Sequence, residues 1–106
     1  MRKNLESQLI NKFRKAYLKL FPNCFFYKIP DTLDLGGKKP FDVFIVCNKN
    51  LFCLEFKSGN KKPDLYQSEC LKRISDNGME SFFINEDNYS FLLDYISKVS
   101  QGYFKK

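Results

Sequence analysis

The chain of 106 residues contains no histidine, so Ser-His-Asp and Cys-His catalysis are closed to it. The chemistry left to it is that of carboxylates, lysines and a hard cation. One stretch, KKPFDVFIVCNKNLFCLEFKSG (Lys38 to Gly59), sets those groups among apolar residues: Asp42 opens one apolar run, and Glu55 and Lys57 close the next. A turn around Asn48-Lys49 joins the runs as a hairpin. A two-residue turn pairs Cys47 with Asn50; a four-residue loop pairs Val46 with Leu51. Both give one register, in which Asp42 faces Glu55. Strand alternation puts Lys57 on the Glu55 face, one pleat further along. Directly opposed side chains have Cβ atoms about 4.5–5.5 Å apart, where like charges repel. Val43, Ile45, Leu54 and Phe56 imply a dry hairpin, which sharpens the repulsion. A proton on one carboxylate would relieve it. A divalent cation would relieve it more simply, because Mg²⁺ favours one or two carboxylates with water and phosphate oxygens. Glu55 and Lys57 alone would be an ordinary surface pattern; Asp42 arriving opposite them makes a site.

The elements that must hold this hairpin follow from periodicity. Leu5, Leu9, Ile10, Phe13, Ala16, Tyr17 and Leu20 form one helical stripe, stopped by Pro22-Asn23. CFFYKI (Cys24 to Ile29) reads as a strand, and the segment from Pro30 to Pro40 as a loop. The hairpin strands are predicted over Phe41–Val46 and Leu51–Lys57. A second basic loop, SGNKKP, precedes a helix capped by Asp64 and ended by Gly78. MESFFI is a fourth strand, and NEDNYSFLLDYISKVSQ a closing helix with an acidic start that suits the helix dipole. The order αβββαβα, with a helix long enough for a parallel crossover, predicts an α/β fold: one mixed four-stranded sheet flanked by helices. Residues 1–106 read as a single domain.

Composition narrows the partners. Apolar residues make up 43% and aromatics 17%, enough for a core without staples, and the net charge of +6 suits a polyanion such as nucleic acid. Cys24, Cys47, Cys53 and Cys70 form no CxxC pair and are read as reduced, buried small hydrophobes rather than zinc ligands. No run approaches the roughly 18 apolar residues of a membrane span. MRKNLESQ lacks the apolar stretch of a secretory signal, so a soluble cytoplasmic protein is expected.

Asp42, twelve intervening residues and then EFK (Glu55-Phe56-Lys57) resemble the D…ExK motif of the PD-(D/E)XK nuclease superfamily, closest to RecU-type Holliday-junction resolvases and stand-alone VRR-NUC nucleases. The resemblance spans Glu6 to about Ile84. Glu6 sits where such nucleases carry a first-helix acid, FYKIPDT resembles their first-strand segment, YQSECLKRI places Gln67 at a frequent glutamine position, and NGMESFFI matches their glycine-then-strand ending. The resemblance implies a restriction-endonuclease-like fold and a catalytic set of Glu6, Asp42, Glu55, Lys57 and Gln67. It implies Mg²⁺ or Mn²⁺ held by Asp42, Glu55 and the main-chain carbonyl of Phe56, with Glu6 assisting directly or through water. It further implies hydrolysis of branched or structured DNA to 5′-phosphate ends, and a homodimer where two strands are cut. A nucleic-acid-binding module that keeps the fold without catalysis is the alternative. Two readings of Gln67 stand level, because Asp64-Leu65-Tyr66-Gln67 also fits a capping box. Glu6 likewise fits a first-turn acid. Lys38, Lys39, Lys61 and Lys62 border the hairpin as contacts to the DNA backbone. Two features depart from the family: Phe41 separates Pro40 from Asp42, and the loop from Pro30 to Pro40 replaces the projecting insertion of RecU-type enzymes. The literal Pro30-Asp31 pair lies too far from Glu55 to share the hairpin.

Overall fold

Leu9, Ile10, Phe13 and Tyr17 recur at helical spacing and are buried, which sets the inner face of helix α1 (Leu5–Leu20). Leu5 and Leu20, at the two ends of the same stripe, stay exposed, so only the middle turns pack. The computed structural model describes residues 5–30 and 39–102; Lys38 and Asp31 lie outside them. Strands β1 (Phe25–Lys28), β2 (Val43–Cys47) and β3 (Asn50–Phe56) are followed by α2 (Leu65–Asp76), β4 (Glu80–Ile84) and α3 (Tyr89–Ser100). The order αβββαβα is therefore the one expected. The four strands form one sheet in the order β1-β2-β3-β4, antiparallel at the first two joins and parallel between β3 and β4, with α2 as the crossover.

Residues 48 and 49 make the hairpin turn. Both have positive φ, 50° for Asn48 and 69° for Lys49, as a two-residue type I′ turn requires. The register follows: Cys47 pairs with Asn50, Val46 with Leu51 and Val43 with Leu54. One face of the sheet carries Val43, Ile45, Phe52, Leu54, Phe56 and Ile84 into a core closed by α1 and α3. Tyr17 lies at its centre, and its hydroxyl meets Ser100 Oγ at 2.7 Å, tying α1 to α3. Helix α2 packs on the other face, over β3 and β4. It starts at the expected cap: Gln67 N–H donates to Asp64 Oδ1 at 2.8 Å, and Asp64 N–H to Gln67 Oε1 at 3.3 Å. Gly78, at φ +89°, ends it. Among the described residues, no helix is long and apolar enough to cross a membrane.

Two expectations need correction. Cys24 and Cys47 are not reduced thiols but a disulfide; only Cys53 and Cys70 are free. Phe25 pairs with Val46, so the next residues outward, Cys24 and Cys47, stand opposite each other with Cα atoms 4.9 Å apart. The closing helix starts at Tyr89, so Glu86 and Asp87 precede it rather than lining its first turn. Asn85 and Asn88 form that turn, each side-chain oxygen accepting the other's main-chain N–H at 2.9 Å.

Tyr17→Phe removes the link between α1 and α3 and strands the buried Ser100 hydroxyl. It should lower unfolding stability by about 1–2 kcal/mol, read from the urea midpoint, with the far-UV spectrum unchanged.

Candidate active site

The β2–β3 ladder runs regularly to Val43–Leu54 and steps out of line at Asp42. Asp42 N–H donates to Leu54 O at 2.9 Å, and Asp42 Oδ2 accepts from Phe56 N–H at 2.8 Å. The side chain thus takes over a donor that the ladder no longer serves, and this fixes the carboxylate between the strands. Glu55 lies on the neighbouring strand at 1% exposure, and Asp42 at 6%. β3 is an inner strand with its last five residues buried, so Glu55 cannot swing out to water.

Two ammonium groups answer the two acids. Lys39 Nζ lies 2.8 Å from Asp42 Oδ1, and Lys57 Nζ lies 3.3 Å from Glu55 Oε2. The remaining oxygen, Glu55 Oε1, is buried and has no hydrogen-bond partner. Burial, and after it the charge of Asp42, pushes the Glu55 carboxyl up to about 7 against the pull of Lys57. The site is therefore short of donors: two oxygen-rich side chains converge from adjacent strands, and one buried oxygen finds no partner. Such a place suits a hard divalent cation.

The other residues singled out in the sequence fall around this pair. Glu6, in the first turn of α1, faces the basic loop, 4.0 Å from Lys61 Nζ. Among the described residues, no group of three or more Asp, Glu, Cys or His side chains converges, so Glu6 does not join the acidic pair as a third member. Gln67 is buried at the start of α2 and completes the capping box described above. Lys61 and Lys62 line a cleft with Gly59, Asn60, Phe83 and Asn85, and Phe83 is the β4 residue paired with Glu55. Two features were not anticipated. Lys39, read as a phosphate contact, is held on Asp42. Glu86, read as a helix-dipole acid, accepts from Gly59 N–H at 3.0 Å and pins the basic loop. The Lys39–Asp42 spacing of three residues was visible in the sequence; the Glu86 contact, between residues 27 apart, left no local signal.

The raised Glu55 pKa sets a pH dependence. A carboxyl that titrates near 7 when folded and near 4.5 when unfolded holds its proton more tightly in the folded state. Stability of the metal-free protein is therefore full below about pH 4.5 and declines as pH rises towards 7. Differential scanning fluorimetry should show the melting temperature falling through that window. Glu55→Gln should flatten the slope and raise metal-free stability at pH 8 by on the order of 1–3 kcal/mol. Added Mn²⁺ should raise the wild-type melting temperature more at pH 8 than at pH 5.

Comparison with known proteins adds the fold to this geometry. No protein-family model matches the sequence, and no curated protein matches it. A solved structure described as a VRR_NUC domain superposes with a TM-score of 0.73 at 17% sequence identity, covering 88% of this chain and 98% of that one. The mixed four-stranded sheet flanked by helices is thus the restriction-endonuclease-like fold seen in that VRR_NUC domain structure.

Proposed function

We propose that the chain is a metal-dependent endonuclease hydrolysing phosphodiester bonds of branched or otherwise structured DNA, in the manner of a Holliday-junction resolvase serving recombination or repair. The observation that carries this reading is Glu55: a buried carboxylate with one orphaned oxygen, forced against Asp42 and rimmed by lysines. A module that only held phosphates would gain nothing from two acids at this point, since they repel the ligand. A metal-dependent nuclease would use the same pair to hold its cation.

The donor set fits Mg²⁺ or Mn²⁺. Asp42, Glu55 and the main-chain carbonyl of Phe56 all offer hard oxygen atoms, and among them Glu55 Oε1 has no hydrogen-bond partner. Once bound, the cation would supply Lewis-acid polarisation of the scissile phosphate and a lowered pKa for a nearby water. The chain's own residues do the rest. Phe56 N–H holds Asp42 Oδ2 and so fixes which oxygen remains for the metal. Lys57, anchored at Glu55 Oε2, orients the attacking water and stabilises charge developing on the phosphate. Lys39, held on Asp42 in this structure, would turn to the phosphate backbone if Asp42 held a cation instead. Lys38, Lys61 and Lys62 hold neighbouring phosphates without reading sequence. Glu6 assists through water, and Gln67 supports the site from the start of α2. In-line attack leaves 5′-phosphate and 3′-hydroxyl ends. Symmetric cutting of two strands calls for two sites, hence a homodimer.

Incubating labelled junction, flap, duplex and single-stranded DNA with Mg²⁺ or Mn²⁺ tests the proposal. Asp42→Ala and Glu55→Ala should each abolish cleavage, and full activity in either would defeat the assignment. Lys57→Ala should lose turnover by roughly 10²–10⁴-fold while still binding DNA. Gln67→Ala should lose more turnover than Asp64→Ala, which breaks the same cap. Calorimetry showing DNA binding without divalent-cation binding would point to the non-catalytic module instead.

A further inference from the structure

The sheet face that carries Glu55 is covered unevenly. Helix α2 packs over β3 and β4, while α1 and α3 lie on the opposite face. On the part formed by β1 and β2, three rings stand together: Phe25 and Tyr27 are stacked at 6.0 Å between centroids and 9° between planes, and Phe44 sits 5.7 Å and 5.3 Å from them. Phe25 is 54% exposed, Tyr27 42%, and their neighbour Val46 43%. Other exposed apolar side chains, such as Leu65 on α2 and Phe91 on α3, stand apart from this cluster.

Register joins the rings to the acidic pair. Phe44 pairs with Cys53, and Glu55 is the next residue on that face of β3. Such a diagonal is about 7–8 Å between Cα atoms, comparable with one stretched nucleotide step. Charge identifies the occupant. β1 and β2 contain no acidic residue; Lys49 stands exposed in the hairpin turn at one end of the cluster, and the ammonium of Lys39, held on Asp42, stands at the other. Flat rings on an open sheet, flanked by ammonium groups, suit a ligand with π-faces and a polyanionic backbone.

We propose that Phe25, Tyr27 and Phe44 form a stacking platform for unpaired bases, about one nucleotide from the bond to be cut. The preferred substrate then has a single-stranded or frayed segment beside the scissile phosphate. The placement of the cut rests on the nuclease reading; the base binding does not.

Fluorescence anisotropy in EDTA, which keeps strands intact, separates the two. A short labelled oligothymidylate should bind about tenfold or more tightly than an abasic strand of equal length, which keeps the phosphates and lacks the bases. Phe25→Leu with Tyr27→Leu retains apolar bulk for folding but removes the ring planes, and should erase that preference while leaving abasic binding unchanged. Equal wild-type affinity for the two strands overturns the platform, as does a leucine variant that still discriminates tenfold. Sedimentation showing that the leucine variant turns a dimer into a monomer, with discrimination intact, would assign the rings to a second copy and also overturn it. Parallel digestion with Mg²⁺ keeps the failures distinct. Cleavage that depends on Asp42 but proceeds without base discrimination removes the platform and leaves the nuclease. Base discrimination with no cleavage of any substrate leaves the platform and removes the nuclease.

Discussion

Everything at this site depends on two like charges held together in a place that water barely reaches. The type I′ turn at Asn48-Lys49 fixes an even register, and a slip of one residue would send Glu55 to the opposite face. Asp42 lies one residue beyond the last pair of that register, where the ladder steps out of line, and it is locked by Phe56 N–H, so neither acid can relax independently. The fold tolerates this because compensation arrives from both rims. Lys39 reaches Asp42 from the segment before β2, and Lys57 reaches Glu55 from the segment after β3. Breaking a buried charge pair by removing one partner usually costs more than the pair contributes. The acids and lysines therefore behave as one unit.

Position within the sheet explains why the strain falls on Glu55. β3 is hydrogen-bonded on both sides, antiparallel to β2 and parallel to β4, and both its faces are covered along its last five residues. Asp42 precedes the first ladder pair of β2, where the main chain can adjust. The same end of β3 leads into the basic loop, whose Gly59 N–H is held by Glu86 from beyond β4. The parallel crossover thus sets acids, lysines and a pinned loop at one end of the sheet, although the contributing residues span half the chain.

What the sequence disclosed was local or locally propagated. The hairpin register, the Asp64–Gln67 cap, the parallel crossover and the element order all follow from turn chemistry, alternation and spacing, and they stand in the structure. The Cys24–Cys47 disulfide was not legible, because β1 and β2 are too far apart in sequence for any turn rule to fix their register. Once Phe25 is known to pair with Val46, the cysteines must face each other; no spacing rule says so beforehand. The start of α3 was misjudged for a related reason. Glu86 and Asp87 look like dipole acids, yet the reciprocal Asn85–Asn88 turn occupies that segment and frees Glu86 for the loop. The contact of Lys39 with Asp42 was not disclosed, because sequence cannot tell an ammonium waiting for phosphate from one already neutralising a neighbouring acid.

That last ambiguity has a physical resolution under the proposed function. In the metal-free state Asp42 and Glu55 carry the need for positive charge, and two lysines meet it incompletely, since Glu55 Oε1 stays unpartnered. Asp42 and Glu55 would hold a divalent cation, which would supply the positive charge that both acids call for, and Asp42 would then need Lys39 less. The Lys39 ammonium would in that case be available to a phosphate. One side chain would thereby serve stability without metal and substrate binding with it.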